Sequence, residues 1–518
     1  MKKAEVLLRK VSSQESPYGT KTDAGGRFAL EDVEPGDYHL WVERNGYIRS
    51  EYGARRPNRP GTILALGPGQ RLRDIILHIV PQSAITGRVF DEDGEAISNV
   101  QIQALQYSYV RGKRQLVPSE SGLTNDLGEY RIHGLTPGGY VISAMFRSTE
   151  IRSGASRTGD DRRGESAPEE GYAPTYYPGT SDPAAAIPVE VAAGNQIRGI
   201  DLTLLRIPTA RVRGRVWNGI TNRPGRNAMV MLLPRESARL GFFNRNATSV
   251  QDPDGNFEIH GVVPGSYVLF AQWGDGSARQ PIEVWGTTID GANLIIAPNM
   301  ELAGRVRIDG KAEGNFGDMR IYLEHRDLSL SLSANRVKPD GTFTLQNVAP
   351  DAPYTVSLIA MPENLYTKSI RLGFEDVLET GFTLSRGTAA SRLEALLSPS
   401  GGESEGVVLD DQQRPFSGAT VVLVPEPRRR SQLYLYKTTT TDQYGRFRLR
   451  GIAPGEYKLF AWEDIESGAY QDPEFVRPFE SRGQSFSFRE YTRQTAQLTL
   501  IPAEESPLLN KKEKSSGN

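Results

Sequence analysis

Asp23-Ala24-Gly25-Gly26-Arg27-Phe28-Ala29-Leu30-Glu31-Asp32-Val33-Glu34-Pro35-Gly36-Asp37-Tyr38 decides the fold, because the chain writes this stretch five times. The second copy reads Asp126, Gly128, Tyr130, Ile132, Leu135, Pro137, Gly138, Tyr140. The third reads Asp254, Gly255, Phe257, Ile259, Val262, Pro264, Gly265, Tyr267. The fourth is Asp340, Gly341, Phe343, Leu345, Val348, Pro350 and Tyr354, and the fifth is Asp442, Gly445, Phe447, Leu449, Ile452, Pro454, Gly455, Tyr457. In all five the proline stands nine residues after the glycine, and in four the tyrosine stands twelve after it. The fourth copy has Asp351-Ala352-Pro353 in its corner, one residue longer. Matches at fixed spacing mark a repeated structural unit.

Each copy reads as strand, turn, strand. Asp beside Gly supplies a tight turn, since Gly accepts positive φ and Asp bonds its own backbone. Phe28 and Leu30 are two apart and share one face of a strand. Pro35-Gly36 suits the centre of a type II turn. Tyr38, Leu40 and Val42 then alternate in the next strand, and the tyrosine hydroxyl is expected to anchor the corner, as a tyrosine corner does in immunoglobulin-type sandwiches.

Working outward, Gly87-Arg88-Val89, Gly214-Arg215-Val216, Gly304-Arg305-Val306 and Gly406-Val407-Val408 each open a strand 37 to 41 residues before the motif glycine. Apolar runs such as Val100–Leu105 and Ala419–Val424 lie between. Alternating segments close each unit, at 72–80, 197–205, 293–296, 393–397 and 496–501. Six or seven short strands per unit, with no sustained helical period, predict an all-β chain of five Greek-key β-sandwiches. The units are placed at 1–81, 82–208, 209–300, 301–400 and 401–503, with a disordered tail at 504–518. A charged, Ser/Gly/Arg-rich insertion at 147–171 in the second unit is also expected to be disordered.

The first unit has no opening Gly-x-Val, because the spacing places it before Met1. A sandwich short of one strand exposes a sheet edge and part of its core. The expectation is a coding start placed too late, with an upstream strand and room for a signal peptide. The alternative is a partner strand that completes the unit. Met1-Lys2-Lys3 looks like the start of an export signal, but the apolar stretch that should follow is missing.

Composition narrows the function classes. The 518 residues carry 61 Lys+Arg against 63 Asp+Glu, for a formal charge of −2, which supplies no field for nucleic acid. With 24% charged and 38% hydrophobic residues and no run of 18 apolar ones, a transmembrane helix is not expected. The absence of cysteine removes disulfides, thiol nucleophiles and Cys-ligated metals. Gly (53) and Pro (33) are in modest excess, which asks for many turns.

The motif and its preceding Gly-x-Val strand resemble the carboxypeptidase regulatory-like domain. That family belongs with the prealbumin-like sandwiches and is similar to collagen-adhesin B-type repeats and starch-binding-like domains. The resemblance covers nearly all of the chain as five tandem copies. It implies a bacterial, exported, envelope-associated protein. It does not include the zinc domain in which the named enzymes keep their catalysis. Some relatives close a Lys–Asn isopeptide bond, but the opening strands at 85–90, 212–217 and 405–408 contain no lysine.

No catalytic group repeats with the scaffold. His39, His78, His133, His260 and His325 are scattered, and none precedes a Glu by three residues as a zinc-binding helix requires. His133 and His260 take one repeat position, equated with Asp32, Asn347 and Arg450, that reads as a polar turn. Arg428-Arg429-Arg430 reads as a solvated loop tip. The chain is therefore not expected to be an enzyme, and no catalytic residue, cofactor or metal site is assigned. The expected function is a structural or adhesive module array, extended as a semi-rigid stalk, monomeric, and extracellular, periplasmic or on the cell surface. Its partners would be polysaccharide or envelope proteins, with no nucleic acid. The alternative is carbohydrate binding by exposed aromatic rings, Trp41, Phe270, Phe460 and Trp462, on the face of the corner strand opposite the tyrosines. A third reading is an accessory region of an envelope receptor or peptidase system.

Overall fold

The computed structural model describes residues 1–11, 16–146, 169–235, 246–310, 316, 318–326, 331–385 and 392–503. The tail at 504–518 and residues 147–168 of the expected insertion lie outside the described residues. The chain is all-β and organised as sandwiches, as the alternation predicts.

The fifth unit shows the plan. Its opening strand, Gly402–Leu409, is central in a three-stranded sheet. The motif strand Arg446–Ile452 pairs with it antiparallel, and the closing strand Arg493–Thr499 pairs parallel on the other side. A second, antiparallel sheet has the order Lys437–Thr440, Thr420–Pro425, Gly455–Trp462, Gln484–Phe488. The inward residues of both sheets interdigitate: Val408, Phe447, Leu449 and Leu498 meet Val421, Leu423, Tyr457 and Phe486.

The same three-strand arrangement recurs around Ser83–Phe90, Arg206–Asn218 and Met300–Ile308. In the third unit, pairing of Gly276–Val284 with Ile289–Pro298 joins the two sheets into one of nine strands. The boundary placed at residue 208 falls inside the continuous strand Arg206–Asn218. Its first residues pair with Glu169–Tyr172, so the last residues of the segment expected to be disordered form a strand.

The opening glycine faces inward, against the motif aromatic. Gly87, Gly214, Gly304 and Gly406 lie opposite Tyr130, Phe257, Phe343 and Phe447. A Cβ on Gly214 would lie 1.9 Å from the Ala292 carbonyl oxygen and 2.8 Å from the Phe257 ring. Only glycine lets the ring and the closing strand come so close.

Turn chemistry is realised with one correction. The acceptor stands three residues before the motif glycine: Asp23, Asn125, Asp252 and Asp442 each take the N–H groups two and four residues on. Asp126 and Asp254 are therefore not the turn acceptors. In the fourth unit Lys338 holds that place, and Asp340 accepts only from Thr342 within the turn. Six residues after the motif glycine the backbone enters the left-handed region in all five units, at Asp32, Gly134, Gly261, Asn347 and Gly451, with φ between 56° and 82°. In the four complete units the strand register shifts there. Gly, Asn and Asp are the residues that tolerate this conformation, so the position is a β-bulge. His133 and His260 precede it, and their equation with Asp32 and Asn347 was off by one residue.

Pro-Gly is not a type II turn. Gly36, Gly138, Gly265 and Gly455 have φ of 151° to 159°, far from the +80° such a turn requires, and they begin the next strand. The corner is held instead by tyrosine. Tyr38, Tyr140, Tyr267 and Tyr457 donate to the carbonyls of Glu34, Thr136, Val263 and Ala453 at 2.7–2.9 Å. In the longer fourth corner Tyr354 reaches Ala349 at 3.2 Å. Burial pushes the Tyr267 phenol up to about 12, so it remains a donor at neutral pH. Tyr267→Phe is expected to lower the stability of the third sandwich by about 1 kcal/mol in denaturant unfolding; no change would remove the corner's role.

Among the described residues the first unit has the second sheet, built from Tyr18–Lys21, Glu5–Lys10, Gly36–Glu43, Ser50–Glu51 and Leu64–Leu66, and a short pairing of Tyr47–Ile48 with Val80–Pro81. Residues 27–33, which carry the motif, and 71–79, expected as a closing strand, lie outside any strand. In the fifth unit the equivalent segments pair with the opening strand.

Candidate interaction site

The aromatic rings offered for sugar stacking lie on the expected outer face of the sheet, but the structure covers most of them. Phe460 and Trp462 are each 1% exposed and stack at 5.0 Å. Ile465, just after the corner strand, and Phe475, Val476 and Phe479, from the helical segment that follows, form their lid. Trp41 is buried between the guanidinium groups of Arg9 and Arg49, and its indole N–H donates to Glu43 at 2.8 Å. Phe270 is half-buried against Leu233 and Val268. The expectation of exposed rings therefore fails for Trp41, Phe460 and Trp462. The missed signal was the long, Phe-rich connection at 463–483 in the fifth unit, which can fold back over its own sheet.

The arginine run is not a free tip either. Arg430 is nearly buried and pairs with Glu480 beneath this lid. Burial pushes the Glu480 carboxyl up, but Lys458 and Arg430 outweigh it and hold the group below the usual carboxylate range. Among the described residues, no group of three or more His, Asp or Glu is placed to hold a metal ion.

The units close on one another. Gln443 of the fifth unit reads the backbone of Ala65 in the first, accepting from its N–H at 2.9 Å and donating to its carbonyl at 2.7 Å. Arg56 and Arg59 converge on Asp464 at 3.0 and 3.2 Å, and Arg55 meets Glu463 at 2.6 Å. Asp464 is almost fully covered, so breaking this pairing would leave a buried charge without its partners. Tyr109 of the second unit packs edge-on against Phe475 of the fifth. Lys368 of the fourth bridges Asp309 and Glu490 of the fifth, at 2.8 and 3.3 Å, and these bonds hold its ammonium above the usual lysine range. The fifth sandwich thus touches the first, second and fourth, in place of an extended stalk.

The open half of the first sandwich is the second feature. Phe28, Leu30, Val33, Ile75, Leu77 and Ile79 are half-buried. Their counterparts in the fifth unit, Phe447, Leu449, Ile452, Ala496, Leu498 and Leu500, are all buried. Among the described residues the first core holds seven buried apolar side chains, where each complete sandwich holds at least sixteen. In the complete units the matching apolar face is covered by the opening strand.

Residues 405–471 match the sequence profile of the carboxypeptidase regulatory-like domain. A search of curated proteins returned no match. Among solved structures, the chain is similar to the Bacillus anthracis TIE protein, at 10% identity over 84% of this chain and 75% of that one, with a TM-score of 0.17. It is similar to GBS52, the minor pilin of Streptococcus agalactiae, at 11% identity over 40% and 85%, with a TM-score of 0.21. BcpA, the major pilin subunit of Bacillus cereus, aligns at 11% identity over 81% and 98%, with a TM-score of 0.13. Similarities of this size carry no argument about function, and the sandwich is read from strand order and register. Within the fifth sandwich residues 405–471 match the family model of the carboxypeptidase regulatory-like domain, and the second, third and fourth sandwiches repeat its three-strand plan around the opening strand.

Proposed function

We propose that the chain is a non-catalytic scaffold of the bacterial cell envelope, in which regulatory-like sandwiches lock into one assembly and present a binding surface. What supports this reading is the kind of group that repeats. The turn acceptor, the bulge residue, the corner tyrosine and the opening glycine each do structural work, and they recur from unit to unit. The contact between the first and fifth units favours a closed array over a stalk, because residues 378 apart in sequence hydrogen-bond across it. Sugar stacking on Phe460 or Trp462 would require the lid to leave, so it has no support from the ring positions.

Two measurements test the reading. Cell fractionation with protease shaving should find the chain outside the cytoplasm, and a purely cytoplasmic chain would overturn the envelope assignment. Asp464→Lys should set three cations against one another where one acid now holds two arginines. Small-angle scattering should then show a larger radius of gyration with the sandwiches still folded. An unchanged radius would count against the closed array.

A further inference from the structure

From the chemistry at one end of the third sandwich, we infer that a cleft there binds a carboxylate-bearing sugar, a uronic acid unit of an acidic glycan. The inference deepens the scaffold reading, on which it rests for access to a glycan. The cleft, of about 440 Å³, lies between the turn that follows the opening strand Arg206–Asn218 and the end of the corner strand Gly265–Trp273. A space of this size takes one small ligand. Asn218, Thr221, Arg223, Pro224, Arg226 and Trp273 line it, with no acid among them.

The turn is held firmly. Asn218 is 2% exposed, and its Oδ1 accepts from the N–H groups of Ile220 and Thr221 at 2.9 and 3.1 Å. Arg223-Pro224 pairs back on Trp217-Asn218, and the Gly225 N–H donates to the Val216 carbonyl at 2.8 Å. Two exposed arginines therefore stand on a fixed backbone, which lowers the cost of ordering them around a ligand. Among the described residues neither guanidinium has an ion pair or a hydrogen bond. With Oδ1 of Asn218 taken by the backbone, its Nδ2 group is left as a donor without an acceptor there. The same holds for the indole N–H of Trp273, whose half-buried ring packs on the core.

The matching turns of the second and fifth sandwiches are acidic. Where the third has Asn218, they have Asp91 and Asp410, each accepting two backbone N–H groups. Asp410 also pairs with Arg414. Where the third has Trp273, the fifth has Glu463. Acids build the same turn, so the fold does not require the exchange of carboxylates for arginines, an amide and an indole. Guanidinium groups take a carboxylate in charge-assisted, two-pronged hydrogen bonds. A bare anion would leave the indole wall unused, and a peptide would bring its own N–H donors to walls made almost wholly of donors. A sugar offers oxygens to those donors and a C–H face to the ring.

The test is calorimetric titration of the full chain with oligomers of galacturonate, glucuronate and mannuronate, each with its methyl ester as the uncharged control. At least one oligomer is expected to bind and to slow amide exchange at 218–228 and 272–276, and its ester should bind about tenfold or more weakly. Arg223→Gln combined with Arg226→Gln should weaken binding by a similar factor of about ten or more, with thermal unfolding unchanged because both side chains are exposed. Asn218→Asp, which keeps the turn acceptor of the sister units, should also weaken it. Four outcomes would each overturn the inference: no binding by any of the three oligomers, equal binding of the esters, full affinity in both variants, or inorganic phosphate or oligoglutamate binding as tightly at the same residues. Uronate binding by a chain found only in the cytoplasm would leave this site standing and overturn the envelope assignment alone.

Discussion

Gly406→Ala is expected to unfold the fifth sandwich at conditions where the unaltered chain is stable. The new Cβ would lie 1.8 Å from the Ala496 carbonyl oxygen and 3.0 Å from the Phe447 ring. The oxygen belongs to the backbone of the closing strand, so no rotamer change relieves the contact. The strand must move, and its parallel pairing with Gly402–Leu409 goes with it. We expect a loss of about 3 kcal/mol or more. Val407→Ala, one residue on and half-exposed, should cost under about 1 kcal/mol. Hydrogen exchange across Arg446–Ile452 and Arg493–Thr499 reads the effect locally. Because the fifth unit touches three others, the same change should also raise the radius of gyration. Protection equal to that of the unaltered chain would mean that the opening glycine is not a packing requirement.

Trp462→Ala should be nearly as damaging. The ring is 1% exposed and fills the space between Phe460, Phe475 and Phe479. Its removal leaves a large cavity under the helical lid, for an expected loss of about 3–5 kcal/mol. Trp462→Phe should retain most of the stability. The measurement also decides the ring's role. A variant with unchanged unfolding that no longer bound polysaccharide would make Trp462 a binding platform and refute its place in the core.

Much of the sandwich was legible because its signals are local. Phe447 and Leu449 alternate with Arg446 and Arg448, and that period of two is enough to give a strand one buried face. The corner tyrosine could be assigned because its partner is four residues away in the same chain segment. The turn acceptor differs from the expected one in two units because Asp126 and Asp254 lie closer to the glycine, and only backbone geometry distinguishes them from Asn125 and Asp252. The Pro-Gly reading failed for a similar reason: the pair suits a turn, but the bulge just before it already redirects the chain.

The sequence by itself determined the repeat, the alternation of each strand and the tyrosine corner, since each is written in residues close together or at fixed spacing. Only the tertiary structure decided that Trp462 is covered, that Arg430 is stapled beneath a lid, and that the first unit meets the fifth. Those outcomes depend on residues such as Ala65 and Gln443, which share no period and no spacing. Packing of whole units brings them together, and no local pattern encodes which outer face will be covered and which will remain open.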